Sequence, residues 1–214
     1  MSAYAAIIFD LDGTLVDNMA HHFRAWRETA AQLSVPLDDA RIQREFAGKK
    51  NDEIIPALLA RPVPPDELAR IASGKEALYR KLYTGNVQLV AGAAALIERA
   101  HKAGMKVAIG SAAPPENRAM VLGELGIHAW FHAIVGGEEA PRGKPHPDLF
   151  LLAAERLGVA PDTCLVFEDA VLGVKAAVAA GMDCVGLTTS EPAAELKHAG
   201  AFAALRDFTE FELL

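Results

Sequence analysis

The 214-residue chain is 51% hydrophobic and 23% charged, which gives a sizeable core and excludes a disordered or low-complexity protein. Its net charge of −7 leaves no basic stripe for a nucleic-acid backbone, so any phosphate-handling site has to be local. No segment approaches a membrane span in length, and the apolar N-terminal stretch, broken by Asp10 and lacking a basic start, is unlike a signal peptide.

The first predicted element, Ala5 to Phe9, is an apolar run that reads as a short buried strand. It ends in Asp10-Leu11-Asp12-Gly13-Thr14, where the glycine permits a sharp turn. In extended chain Asp10 and Asp12 share a face and project beyond the strand's C-terminal end, the place where open parallel sheets bind ligands. Two acids there repel each other unless a cation sits between them. A strand end closed by an Asx turn is the plainer alternative for this stretch taken alone.

The pattern then turns helical, with Asp17 or Asn18 as the expected cap. Phe23, Trp26, Ala30 and Leu33 form an apolar stripe at helical spacing. Further helices are predicted over 39–46, 51–60 and 65–83, with Pro62, Pro64 and Pro65 separating the last two, and no strand signal falls between 16 and 84. From Val87 onward helix and strand alternate. Helices at 93–103, 115–125, 148–157 and 171–180 are each followed by glycine, and strands are expected at 105–110, 133–135, 164–167, 184–187 and, more weakly, 202–204, before a terminal helix. Repeated strand–helix units imply an α/β fold, a doubly wound parallel sheet covered on both faces. The first strand belongs to that sheet. The expected division is therefore a core of residues 1–15 plus 86–214 and an inserted all-helical cap of residues 16–85. Cys164 and Cys184 both fall in predicted buried strands and read as small hydrophobes in a reducing cytosol, so a cytoplasmic location is expected.

Four strand ends or adjoining loops supply polar groups: Asp10 with Asp12, Ser111, Lys144, and Glu168-Asp169. In a doubly wound sheet all four open on one rim. One carboxylate can attack phosphorus and a second can protonate the leaving oxygen. A hydroxyl and a lysine can hold phosphoryl oxygens, and clustered carboxylates make a hard oxygen site suited to Mg²⁺. Singly, Ser111 reads as a helix cap, Lys144 as a solvated loop charge and Glu168-Asp169 as a turn. Their joint placement at successive strand ends outweighs those readings.

The segments Asp10-Leu11-Asp12-Gly13-Thr14, Ser111, Gly143-Lys144-Pro145 and Phe167-Glu168-Asp169 match, in order, the four motifs of the haloacid dehalogenase-like phosphotransferases, and the resemblance spans nearly the whole chain. It implies a Rossmann-like core, a helical cap, Mg²⁺ and an aspartyl-phosphate intermediate. By position Asp10 is the nucleophile and Asp12 the general acid/base. Asp10, the Asp12 carbonyl, Asp169 and Glu168 hold the metal, and Ser111 and Lys144 bind the phosphoryl group.

Within that superfamily the chain resembles the β-phosphoglucomutase-like group. His22-Phe23-Arg24-Ala25-Trp26 is similar to the first cap helix there, with His22 and Trp26 on one helix face. Lys75, with Tyr79 one turn later, resembles a substrate-binding lysine of the mutase cap. The cap loop Gly48-Lys49-Lys50-Asn51 departs from the mutase, which has an arginine where Asn51 stands. Asparagine cannot form a charged fork on a distal phosphate, which favours hydrolysis over mutase chemistry. Trp26 and Lys75 also have plain readings, as a core residue and as a solvated lysine, and Lys49 or Lys50 could replace the arginine only as a point charge. Ala112 and Asn117, in the segment that keeps Ser111, complete the set expected to face substrate: His22, Trp26, Gly48, Lys49, Asn51, Lys75, Ala112 and Asn117. The expected function is a Mg²⁺-dependent phosphatase acting on a small phosphorylated metabolite, a sugar phosphate. The runner-up is a sugar-phosphate mutase. A dehalogenase has no use for the acids at 168 and 169, and a non-catalytic module would have lost a motif residue. Expected partners are the small phosphorylated substrate alone, with no nucleic acid and no membrane, on a monomer.

Overall fold

The computed structural model describes residues 4–46 and 49–212. Six strands form one parallel sheet in the order β3-β2-β1-β4-β5-β6, with β1 at Ala6–Phe9, β2 at Lys106–Ser111, β3 at Ala133–Gly136, β4 at Cys164–Glu168, β5 at Asp183–Leu187 and β6 at Ala203–Leu205. The strand order reverses between β1 and β4, so the ligand-binding crevice of the sheet opens at their C-terminal ends. Phe9 lies level with Ile109 on one side and Phe167 on the other, so the three strands reach this crevice side by side.

Alternation along the strands builds two cores. Ile7, Phe9, Val107, Ile109, Leu165 and Phe167 face one layer, which includes helix α5 (Ala93–Lys102), with the Phe9 and Phe167 rings stacked at 5.3 Å. Ala6, Ile8, Ala108, Cys164, Val166 and Cys184 face the other, against α7 (Asp148–Leu157) and α8 (Val171–Ala179). Both cysteines are buried and free, as expected of small hydrophobes.

Between β1 and α5 the chain makes α1 (Met19–Gln32), α2 (Asp39–Phe46), α3 (Asn51–Leu59) and α4 (Pro65–Tyr83). This block has its own apolar cluster, centred on Trp26, Ile42, Phe46, Ile55 and Leu58. The two crossings between block and sheet lie side by side, because Val16 bridges Leu89 and the Val90 amide donates to the Leu15 carbonyl at 2.9 Å. Among the described residues no helix is long and apolar enough to cross a membrane.

Three local expectations need correction. The terminal helix is a single 3₁₀ turn at Phe208–Glu210, begun by Asp207 accepting from the Thr209 amide, and the chain runs extended into Phe211. A short helix, α9 (Ala193–His198), was not expected; at six residues with only Leu196 buried it shows no apolar periodicity. Asn18 precedes α1 without capping it by side chain, because its amide is engaged in the site described next.

Candidate active site

The tip of β1 delivers Asp10 between the ends of its neighbours, with the Asp10 amide donating to the Phe167 carbonyl at 3.0 Å. Lys144, from the loop after β3, is buried and donates to Asp10 Oδ1 at 2.6 Å and also to Glu168 Oε1. The second Glu168 oxygen accepts from the amides of Asp169 and Ala170, each at 2.9 Å. Asp169 is held by Thr14 Oγ1 at 3.0 Å and by Ser190 Oγ. Gly13, at φ +76°, lets the chain turn beneath this carboxylate; a Cβ there would collide with it. Ser111 ends β2 buried, its hydroxyl accepting from the Ala113 amide at 3.1 Å.

Asp12 lies one turn on. Asn18 Nδ2 donates to Asp12 Oδ1 at 2.6 Å and to the Tyr79 hydroxyl at 2.6 Å, while the Gly13 amide donates to Asn18 Oδ1 at 3.0 Å. His22 stacks on Tyr79 with ring centroids 3.8 Å apart. Lys75 Nζ lies 2.9 Å from His22 Nδ1, and His22 Nε2 faces Asp12 Oδ2 at 3.4 Å without hydrogen-bond alignment.

The charges are unevenly balanced. Burial pushes the Asp10 carboxyl well above the ordinary carboxylate value; Lys144 opposes the rise and Glu168 and Asp169 add to it. Burial, then Glu168, push Asp169 up to about 7, against the pull of Ser190, Lys144 and Thr14. Burial works against the Lys144 charge, but Asp10 and Glu168 hold it protonated, above the usual lysine value. Burial would also raise Asp12, but His22, Asn18 and Lys75 outweigh it and hold the group below the usual range. Three buried carboxylates therefore share one ammonium, and the site is short of positive charge.

That deficit and the all-oxygen donor set fit Mg²⁺, which keeps several waters and takes one or two carboxylates. Asp10 and Asp169 have the chemistry to hold it. Both Glu168 oxygens accept from Lys144 and backbone amides, and both Asp169 oxygens accept from Thr14 and Ser190, so the two carboxylates are held in fixed orientation beside Asp10. Among the described residues no three His, Cys, Asp or Glu side chains form a cluster that encloses a metal by themselves.

A cavity of about 470 Å³ runs from these groups to the helical block. Asp10, Asp12, Ser111, Lys144, Glu168 and Asp169 all line it, as do His22, Trp26, Lys49, Asn51, Lys75 and Ala112. Gly48 lies outside the described residues. Asn117 does not line the cavity: it is fully buried, donating to Glu76 Oε2 at 2.7 Å and accepting from Arg80 at 2.8 Å, and so ties α6 (Pro115–Leu125) of the sheet layer to α4.

Sequence reasoning missed Asn18, Ser190 and Glu76. Ser190 carries the same signal as the other groups, a polar residue just beyond a predicted strand. Asn18 was read as a cap, and Glu76 beside Lys75 carries no signal at all. Asn18→Ala would orphan the buried Gly13 amide and free Asp12 to rotate. Thermal unfolding should show a loss of about 1–3 kcal/mol, accompanied by slower turnover.

An open parallel α/β sheet with a buried carboxylate, a buried lysine and a strand-end serine gathered at its switch point is the arrangement of a hydrolase built on an α/β fold. A haloacid dehalogenase-like hydrolase family model matches residues 4–181, and the chain belongs to that family. It is 33% identical over 186 residues to the fructose-1-phosphate phosphatase YqaB of Escherichia coli, covering 85% of this chain and 95% of the relative. It is also 33% identical over 195 residues to a β-phosphoglucomutase of Bacillus subtilis, covering 87% and 84%. The crystal structure of CbbY from Rhodobacter sphaeroides in complex with xylulose-(1,5)bisphosphate superposes with a TM-score of 0.83 at 29% identity, covering 97% of this chain and 96% of that one. With family and site in agreement, the chain is a phosphoric monoester hydrolase.

Proposed function

We propose that the protein is a Mg²⁺-dependent phosphatase of small sugar monophosphates, working through a phosphorylated Asp10. The observation that carries this reading is the placement of Asp10 at the cavity floor with Lys144 on its Oδ1 at 2.6 Å and with Ser111 and Asp12 lining the same space. Asp10 attacks phosphorus while the bond to the leaving oxygen breaks, and protonated Asp12 gives its proton to that oxygen. Water then attacks the phosphoryl group, Asp12 takes its proton back, and inorganic phosphate leaves with Asp10 restored. Lys144 and Ser111 hold the phosphoryl oxygens. Asp10, Asp169 and the Asp12 carbonyl would hold Mg²⁺, which when bound would supply charge neutralisation for an anionic nucleophile meeting an anionic substrate. The acid role asks for a raised Asp12, opposite to its direction here; a phosphate dianion docked beside it pushes in that direction.

The helical block supports a cap role. Its polar contacts with the sheet layer include Lys50 donating to the Gly137 carbonyl at 2.8 Å, Gln43 to the Ser190 carbonyl at 2.6 Å, and Asn117 donating to Glu76. These close the cavity from above, and hinge movement at the paired crossings near Leu15 and Leu89 would admit substrate.

The β-phosphoglucomutase relative keeps a mutase as the second reading. The two part on the acceptor, water or a sugar hydroxyl. Phosphate release from a sugar-phosphate panel, with and without a sugar bisphosphate, decides between them: release without bisphosphate supports the phosphatase, and isomerisation dependent on bisphosphate refutes it. Chelation with EDTA is expected to abolish release and Mg²⁺ to restore it. Asp169→Asn should raise the Mg²⁺ concentration needed, and Ca²⁺ should inhibit through its looser coordination. Full activity in chelator would remove the metal from this reading.

A further inference from the structure

The cap side of the cavity takes no part in the phosphoryl chemistry proposed above. Phe23, Trp26, Ile42, Phe46 and Ile54 form an apolar wall on the cap side. One buried ion pair is set into that wall. Lys75 is 3% exposed and Glu76 6%, and the lysine donates to Glu76 Oε1 at 2.9 Å. Asn51 Nδ2 donates to the same oxygen at 2.8 Å, and Asn117 Nδ2 donates to Oε2 at 2.7 Å. Burial works against the Glu76 charge, but Lys75, His22 and the two amides outweigh it and hold the carboxyl below its usual range. Glu76 is thus a fixed anion in the wall, with Lys75, Asn51 and Asn117 all donating to it.

We propose that Glu76 is a specificity-determining residue that restricts the substrate to phosphate monoesters whose alcohol part carries no second anionic group. The proposal rests on the phosphatase reading and narrows its substrate class. A buried ammonium without a counter-charge would anchor a second phosphate or a carboxylate. Glu76 cancels that ammonium, and an anion brought against the pair meets a carboxylate that is already ionised. The apolar wall gives a dianion nothing in exchange for its hydration. The other two cap lysines in the cavity do not replace Lys75 as an anchor, since Lys50 is engaged by the Gly137 carbonyl and Lys49 is exposed. An uncharged alcohol suits the same space. Lys75 has one N–H beyond its bonds to His22 and Glu76, which can reach a hydroxyl, and Trp26, whose ring lies 4.9 Å from Lys75 Nζ, offers a flat apolar contact.

The test is calorimetric, in the Asp10→Asn background with Mg²⁺ so that ligand is not consumed, using a hexose monophosphate and the bisphosphate of the same hexose. With Glu76 present the monophosphate should bind at least as tightly. Glu76→Gln should shift the affinity ratio toward the bisphosphate by about tenfold or more, the effect of removing one nearby buried charge. Asn117→Ala breaks the same network but keeps the charge, and should leave the ratio within about twofold. A ratio unmoved by Glu76→Gln, or moved equally by Asn117→Ala, overturns the proposal. So does tighter bisphosphate binding with Glu76 in place, the arm that decides if Glu76→Gln fails to fold. Phosphate release by the wild-type protein reports separately. No release from any monophosphate, with the calorimetric result intact, would sink the phosphatase reading and leave charge selection standing.

Discussion

Asp10→Asn is expected to abolish phosphate release while the protein stays folded. The amide is nearly isosteric, and its oxygen can still accept from Lys144, which now meets Asp10 Oδ1 at 2.6 Å. Its nitrogen cannot attack phosphorus at neutral pH. Removing the attacking group should cost at least about 5 kcal/mol in the barrier, on the order of a ten-thousandfold loss in rate. Stability should hold or rise slightly, because the substitution takes one negative charge from a site where burial and two neighbouring acids already push Asp10 well above its usual value. The decisive measurements are steady-state phosphate release and acid-quench trapping of protein-bound phosphate from labelled substrate. Trapped label should be present in wild type and absent in Asp10→Asn. A variant within about tenfold of wild type would refute covalent catalysis through this residue.

The sheet-side half of the site was legible because the backbone dictates it. A parallel strand carries its polar end to one rim whatever the cap does, so Asp10, Ser111 and Glu168-Asp169 could be placed from strand ends alone, and all line the cavity. The same logic extended to Ser190 would have found the hydroxyl on Asp169. The cap half was less legible because helix faces are decided by packing. Trp26, on the apolar stripe, belongs to the cap's own cluster and also lines the cavity. Asn117 sat in a segment expected to face substrate, yet its amide bridges Glu76 and Arg80 instead. Glu76 next to Lys75 looks like a solvated helix pair, and only tertiary burial makes it an anion in a cavity wall. Nor could spacing show that Asn51, expected at the substrate's far end, gives its amide to that same acid. An arginine at position 51 would meet Glu76 before it met a phosphate, so Asn51→Arg alone is expected to gain less for a bisphosphate than it does combined with Glu76→Gln.

Lys144→Ala should injure both activity and stability, and the pH dependence separates the two effects. The ammonium is buried between Asp10 and Glu168 and is the near cation that opposes the upward push on Asp10 and Asp169. Removing one partner of a buried ionic cluster leaves uncompensated charge, a loss of about 3–5 kcal/mol at neutral pH. In a chain of this size that lowers the unfolding midpoint by roughly 10 °C. The sign of the pH dependence follows from the direction of the shifts. Asp10 and Asp169 both have folded values above the 3.8 of the free side chain, and without Lys144 both rise further. Below the unfolded value both states hold the proton and the penalty vanishes; above it only the unfolded chain releases the proton, so the folded state loses ground as pH rises toward the folded value. The deficit relative to wild type should therefore be largest above about pH 7 and shrink toward about pH 4 in chelator-treated protein. Activity should fall by about a hundredfold or more at every pH, because the phosphoryl oxygens lose a charged donor that acidification cannot replace. A variant as stable as wild type at neutral pH would mean that Lys144 is not what holds these acids together. An undiminished rate would remove it from the site.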